Sequence, residues 1–488
     1  MVFSSILFCT IFLPLCLLAY YGVPRVVGGG IERIITLSNY ILLGFSLVFY
    51  AFGGVKYLLL IGIVILINWG CGFLCTVGRH NLSVRRLGLI LAILSDMGLL
   101  FFFKYFNLFI ATIENMFFGQ GLSTTERAAG IFKGIGTGAL GIEQIVLPVG
   151  ISFFTFQALS YVIDVYNDDA EAQTNLCNFA LYIACFPQLI AGPIVHYKDI
   201  AGQLSERSVG SYEFAEGIKR FCFGLSKKVL IANTLATVAD KVWEADLSRL
   251  DASVAWLGAV CYTFQIYYDF SGYSDMAIGL GKMFGFDFKE NFDHPYRAES
   301  IREFWRRWHI SLSTWFRDYV YIPLGGSRCT MSRTCFNIFV VFLLTGIWHG
   351  ANWTFLVWGV VYGVLLIFER LWFGKILEKN PIKFFNRMLI FIIVTLLWVV
   401  FRAENIMAAG TFISRMFVGG FKPLNLLNYL SGMTTLALIL APIMAGFIQA
   451  HMSVKAVKGN ALVCLGLLLL SLLFLVNGTY NPFIYYQF

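Results

Sequence analysis

Apolar runs long enough to cross a bilayer recur along this whole chain. They lie at about 3–21, 36–52, 56–76, 88–112, 140–165, 178–197, 214–238, 253–284, 334–350, 352–373, 388–402, 433–450 and 460–477. A membrane helix needs about 20 such residues. Only 13% of the 488 residues are charged and 58% are apolar, with a mean hydropathy of +0.74. A soluble chain so poor in charge would expose large apolar patches. The expected fold is therefore an all-α polytopic membrane protein with ten to twelve true spans and one or two partial ones. No tandem repeat or low-complexity tract interrupts it, so residues 1–488 are read as one membrane domain. Disorder, collagen, coiled coil and a secreted disulfide scaffold are excluded. Within the domain, 1–140 reads as N-terminal helices, 141–373 as the core, and 374–488 as C-terminal helices with a tail.

Charge placement predicts orientation. The densest basic loop holds Arg370, Lys375, Lys379, Lys383 and Arg387, and basic loops stay in the cytoplasm. Arg79, Arg85 and Arg86 place a second loop there, and Lys455 and Lys458 a third. Following the spans outward from these loops puts both termini on the extracytoplasmic side. No basic residue precedes the first apolar run, so a cleaved secretory signal is not expected. The eleven cysteines sit mostly in apolar runs and read as small buried residues, with no disulfide framework and no metal site.

Two stretches break the pattern of simple spans. Residues 185–196 carry Pro187 and Pro193, which remove backbone donors, and a re-entrant hairpin is the natural reading. Residues 285–333 are polar and basic yet full of Trp and Tyr. Within them, 301–320 has helical periodicity: Phe304, Trp308, Leu312, Trp315 and Tyr319 share one face. Arg302, Arg306, His309, Ser313 and Arg317 share another. Such a helix either lies at the interface, its arginines on lipid headgroups, or walls a cavity that holds an anionic donor.

His349 is the one titratable residue in the apolar segment 336–350. An ionisable group inside a membrane marks a functional site by default, and imidazole exchanges protons near neutral pH. Asp269 and Asp275 also sit in an apolar setting and must be paired, as a cavity-lining acid or a polar lock in the bundle. His196, at the end of the proline stretch, is a weaker cavity candidate. No P-loop, G-x-S-x-G, H-E-x-x-H or dinucleotide fingerprint occurs, and no nucleic-acid partner is expected.

Six motifs then run in order from mid-chain to the last residue. They are Phe186-Pro-Gln-Leu-Ile-Ala-Gly-Pro193, Tyr268-Asp-Phe-Ser-Gly-Tyr-Ser-Asp-Met-Ala277, Phe304-Trp-Arg-Arg-Trp-His309, Tyr321-Ile-Pro-Leu-Gly-Gly-Ser-Arg328, Gly346-Ile-Trp-His-Gly-Ala-Asn-Trp353 and Phe483-Ile-Tyr-Tyr-Gln-Phe488. With them the chain resembles the membrane-bound O-acyltransferases, in the subgroup of alginate O-acetyltransferase membrane subunits. The D-alanyl transfer proteins of teichoic acid synthesis are its cousins. The first 140 residues match only in hydropathy.

The resemblance implies a ring of about 11 transmembrane helices, with re-entrant and amphipathic helices around a thinned catalytic centre. The family's reactive histidine maps onto His349 and its second histidine onto His309. Trp348 and Asn352 flank the first within its motif. The expected reaction moves an acyl group, most simply acetyl, from cytoplasmic acetyl-CoA toward a hydroxyl on an extracytoplasmic polysaccharide, with no bound cofactor. His349 would act as general base, and His309 would orient or stabilise the oxyanion. Arg302, Arg306 and Arg317 would meet the donor. Tyr485 in the tail is a candidate acyl relay, although Tyr486 stands where the subgroup usually has Phe. The expected setting is a bacterial cytoplasmic membrane, and the expected partners are lipid and an extracytoplasmic SGNH-type transferase. The rival expectation is a transporter of an acyl donor or polymer precursor that does no chemistry itself.

Overall fold

The structure, a computed structural model, describes residues 1–106, 109, 147–446, 460–478 and 480–482. Tyr485 and Tyr486 lie outside the described residues, as do His451, Lys455, Lys458 and parts of the predicted spans 88–112, 140–165 and 433–450. Every regular element among the described residues is a helix. Among the described residues, eight helical stretches are long and apolar enough to cross a membrane: Phe8–Val27, Ile31–Ala51, Lys56–Val77, Leu82–Tyr105, Ser211–Trp243, Met331–His349, Trp353–Lys379 and Lys383–Arg402. Shorter apolar helices occupy Ile151–Tyr166, Ile406–Val418, Gly432–Met444 and Ala461–Asn477. The helix Ile406–Val418 was not among the predicted spans, because its 13 residues fall short of a crossing.

The long helix Ala252–Met283 is buried along most of its 32 residues. Lipid is as apolar as a protein core, so close packing and polar contacts, rather than escape from water, hold such helices together. Its seam with Ser211–Ser226 uses both. A Cβ on Gly224 would stand 2.5 Å from the Gly272 carbonyl, and one on Gly272 would stand 2.8 Å from that of Gly224. Polar locks flank the seam. Asp275 pairs with Arg220 at 2.5 Å and with Lys227 at 2.6 Å, and Asp269 pairs with Lys228 at 2.7 Å.

The proline stretch is irregular and fully buried. The helix Leu176–Ala184 stops before it, a single turn covers Phe186–Leu189, and non-helical backbone leads to Tyr197–Ser205. The predicted span 178–197 is thus no continuous helix, as Pro187 and Pro193 require. Gln188 satisfies part of this backbone by donating to the Tyr182 carbonyl at 2.5 Å.

Residues 301–320 do not form one amphipathic helix. They form a short helix, Ile301–Arg307, a break at Trp308 and His309, and a second helix, Ile310–Phe316, that runs on into the π-helical turn Arg317–Tyr321. His309 takes φ +44°, a left-handed conformation that costs a non-glycine residue energy. The expected shared face of His309 with the arginines is therefore lost, since the chain turns at that residue.

Candidate active site

His349 is the last residue of the helix Met331–His349, and Gly350 ends that helix in extended backbone. The imidazole is buried between aromatic rings. Ring centroids stand 5.0 Å away for Trp348, 5.1 Å for Trp358 and 5.1 Å for Phe401. The next helix, Trp353–Phe368, can return tightly because Gly346 and Gly359 meet at the crossing. A Cβ on Gly346 would stand 2.5 Å from the Phe355 carbonyl.

His309 is 1% exposed and reaches the same place from the broken helix pair. Its ring lies 4.6 Å from Phe270, 6.4 Å from Phe153 and 5.9 Å from Trp348. Trp348 thus packs against both histidines, although forty residues separate them in sequence. The Trp348 indole N–H donates to the Ser152 carbonyl at 3.4 Å. His309 Nδ1 lies 3.2 Å from the side-chain oxygen of Asn291, and its Nε2 has no hydrogen-bond partner among the described residues. Burial disfavours the protonated His309 ring and pushes its pKa down.

A lysine completes the cluster. Lys104 Nζ donates to the Trp348 carbonyl and to the Ser152 hydroxyl, the latter at 3.2 Å. It also lies 5.6 Å from the centre of the Trp348 ring. Its neighbour Tyr105 donates to the carbonyl of Ile347. Two consecutive side chains therefore satisfy two carbonyls in the last turn of the histidine helix.

A cavity of about 910 Å³ lies between the broken helix pair and the histidine helix. Arg302, Arg306, Arg317, Arg370 and Lys375 line it, against two acids, Glu369 and Glu378. Along the histidine helix its wall runs from Met331 through Ile338 and Phe342 to Thr345. That is about 21 Å of helix axis, and His349 is one turn further on. Glu369 is structurally engaged as well, since its carboxylate accepts from the Ile301 N–H at 2.6 Å.

The structure brings together His309, His349 and Trp348, and gathers the three candidate arginines on one cavity. It places the other candidates elsewhere. Asp269 and Asp275 are held in the ion pairs described above. Asn352 caps the helix Trp353–Phe368, accepting from Thr354 N–H at 3.1 Å and donating to the Glu404 carbonyl at 2.8 Å. His196 is buried with its ring 5.2 Å from Tyr319. Among the described residues, no group of three or more His, Cys, Asp or Glu side chains could hold a metal. Sequence reasoning missed Lys104, Asn291, Arg370 and Lys375 as site residues. Lys104 carried a readable signal, one lysine in the run Leu99-Leu-Phe-Phe-Phe-Lys-Tyr-Phe106. Asn291 carried none, because a polar loop residue has no periodicity to betray it.

The sequence profile of the MBOAT, membrane-bound O-acyltransferase family matches residues 99–409. Over 451 residues the chain is 42% identical to the "Probable alginate O-acetylase" of Pseudomonas aeruginosa, covering 92% of this chain and 81% of that one. It is 34% identical to the peptidoglycan O-acetyltransferase of Helicobacter pylori, over 84% of this chain and 78% of that one. A teichoic acid D-alanyltransferase of Streptococcus thermophilus is 26% identical over 48% of this chain and 60% of that one.

Proposed function

The chain belongs to the membrane-bound O-acyltransferase family, and from that premise we propose that it transfers acetyl from cytoplasmic acetyl-CoA toward an extracytoplasmic polysaccharide. The observation that carries this reading is the cationic cavity that ends one turn short of His349. A coenzyme A thioester carries phosphates at one end and the acyl group at the other. Arg302, Arg306, Arg370 and Lys375 suit the first end, and the apolar wall from Ile338 to Thr345 leads the second toward the histidines. Arg370 and Lys375 lie at the C-terminal end of the helical stretch Trp353–Lys379, and the basic charge gathered there supports a cavity mouth on the cytoplasmic side, where acetyl-CoA is made.

In this reading the histidine pair carries the proton from the attacking hydroxyl to the departing sulfur. His349, one turn beyond the cavity's end at Thr345, is essential. The acceptor approaches from the other side. The last described residue before the tail, Pro482, accepts a hydrogen bond from Lys228 through its carbonyl, and Lys228 pairs with Asp269. Phe270, next in sequence, touches the His309 ring. Tyr485 follows Pro482 by three residues. The phenol would hold the acetyl group as an ester and hand it to an SGNH-type partner outside a bacterial cytoplasmic membrane, with both termini on that outer side. The polymer is an alginate-like exopolysaccharide, cellulose or peptidoglycan.

Acetyl transfer from radiolabelled acetyl-CoA by the purified protein tests the proposal. Label should pass to the protein or to an added acceptor, and His349→Ala should stop it while the variant keeps its thermal stability in detergent. Transfer at the wild-type rate by a folded His349→Ala would remove the proposed role of that residue. Absence of any transfer by the wild type with its partner present would favour the transporter instead.

A further inference from the structure

Asn291 is fully buried in the segment that follows the long helix, and it faces His309 from outside the broken pair. Its side-chain oxygen accepts from the Ser311 backbone N–H at 3.1 Å and from the Ser311 hydroxyl at 2.9 Å. The same oxygen lies 3.2 Å from His309 Nδ1. A backbone N–H can only donate, so the amide atom turned toward Ser311 is oxygen. At the other end of the amide, Nδ2 donates to the Ser274 hydroxyl at 3.2 Å. A proton on Nδ1 makes this contact a hydrogen bond, and the Ser311 hydroxyl, 3.5 Å from the same nitrogen, already donates to the Asn291 oxygen. The neutral ring then carries its lone pair on Nε2.

Asn291 also holds the backbone that makes this possible. Its main-chain carbonyl accepts from the Ile310 N–H at 2.9 Å, just past the left-handed His309. Nε2 is buried and has no hydrogen-bond partner among the described residues. The long helix turns Phe270 toward the ring and the helix Ile151–Tyr166 turns Phe153 toward it. The titratable groups nearby are His349 and Lys104, both packed on Trp348.

We propose that Asn291 is a positioning residue that fixes His309 as the proton acceptor of the site, with Nε2 facing the attacking hydroxyl. The assignment rests on the acyl-transfer reading above. The hydroxyl oxygen bonds to the acyl carbon, the carbon–sulfur bond breaks, and the hydroxyl proton passes to Nε2 and then to the sulfur, which leaves as the thiol. His349 stands on the thioester side. An oxyanion-stabilising His309, the role the family resemblance implies, would need its proton on Nε2.

Two measurements test this. The first is the tautomer in the resting protein, read by nitrogen NMR after histidine-selective isotope labelling, with His309→Gln identifying the resonances. The expected result is a protonated Nδ1 and a bare Nε2, and the reverse would overturn the proposal. This readout does not depend on any activity, so it separates failure of the inference from failure of the proposed function. The second is the pH profile of Asn291→Asp. A carboxylate facing Nδ1–H favours the charged ring and raises its pKa, so the base stays protonated to higher pH. The acid limb of kcat should move upward by about one pH unit or more while KM for acetyl-CoA holds. An active Asn291→Asp with an unmoved acid limb would overturn the proposal. If that variant does not fold, the tautomer measurement decides alone.

Discussion

Lys104 donates a hydrogen bond to the backbone carbonyl of Trp348, the residue immediately before His349. The contact ties a helix more than two hundred residues upstream to the peptide that carries the catalytic candidate. It also places the Lys104 amine over the indole that both histidines touch. A carbonyl at a helix C-terminus has no partner within the helix, and a side-chain donor there satisfies it.

Lys104→Met keeps the length of the side chain and removes its hydrogen-bond donors. It should lower kcat by roughly tenfold or more, the effect of losing about 1.4 kcal/mol of transition-state stabilisation. The KM for acetyl-CoA should hold, because Lys104 does not line the donor cavity. Lys104→Arg should recover part of the loss. Equal falls in kcat and thermal stability, with no recovery by arginine, would leave Lys104 only a packing role.

The cationic cavity makes a different demand. Arg306→Gln and Arg370→Gln should each raise the KM for acetyl-CoA severalfold, with kcat little changed. Their effect should shrink as salt rises, since salt screens the attraction in the wild type too. Acetyl-pantetheine, which lacks the nucleotide phosphates, should be used equally well by wild type and variants. A loss that is the same for both donors would mean that the arginines shape the cavity without binding phosphate.

Periodicity located the long spans because apolar runs of bilayer length have few other uses. Met331–His349 and Lys383–Arg402 fall close to the stretches 334–350 and 388–402 for that reason. The same reasoning failed at His309. The pattern of 301–320 is continuous on a helical wheel, yet Asn291 captures the Ile310 and Ser311 N–H groups and opens the helix there. That override is tertiary, and no local propensity announces it. The arginines still share one cavity, because the turn at His309 leaves the helices to either side of it facing the same space. The pairing of Asp269 and Asp275 was legible as a physical requirement. Their partners, Lys228, Arg220 and Lys227, were not, since pairing across two helices depends on how they cross.

The buried Lys228–Asp269 pair links stability to the tail. Lys228→Met removes the partner of a buried carboxylate and should cost about 3–5 kcal/mol. Lys228→Met with Asp269→Leu should regain most of that stability, because neither charge is then buried. The double variant still lacks the donor that meets the Pro482 carbonyl. Its melting temperature in detergent should approach that of the wild type while acetyl delivery to the polymer falls. Full delivery by the double variant would show that the tail needs no anchor at Lys228.

The tail itself gives the most exposed prediction. Tyr485→Phe removes one oxygen and almost no volume, so folding and partner docking should survive. A relay phenol would make the variant inactive in delivery to the polymer even though it still binds acetyl-CoA. Tyr486→Phe should be nearly silent, because it restores the residue usual in the resembling subgroup. The chemistry favours a phenol here. With a pKa near 10 it leaves more readily than an alkyl hydroxyl, so a tyrosyl ester keeps much of the transfer potential of the thioester. The chain just before the tail is anchored, since Asn481 is held by Ser4 and Asn233, and Pro482 by Lys228. Intact-mass analysis of the C-terminal peptide, after incubation with acetyl-CoA and no acceptor, should find one acetyl group on Tyr485. An acetyl group on Tyr486 would move the relay by one residue. Normal polymer acetylation by Tyr485→Phe would remove it, and the tail would then be a plug whose Phe483, Ile484 and Phe488 serve docking alone.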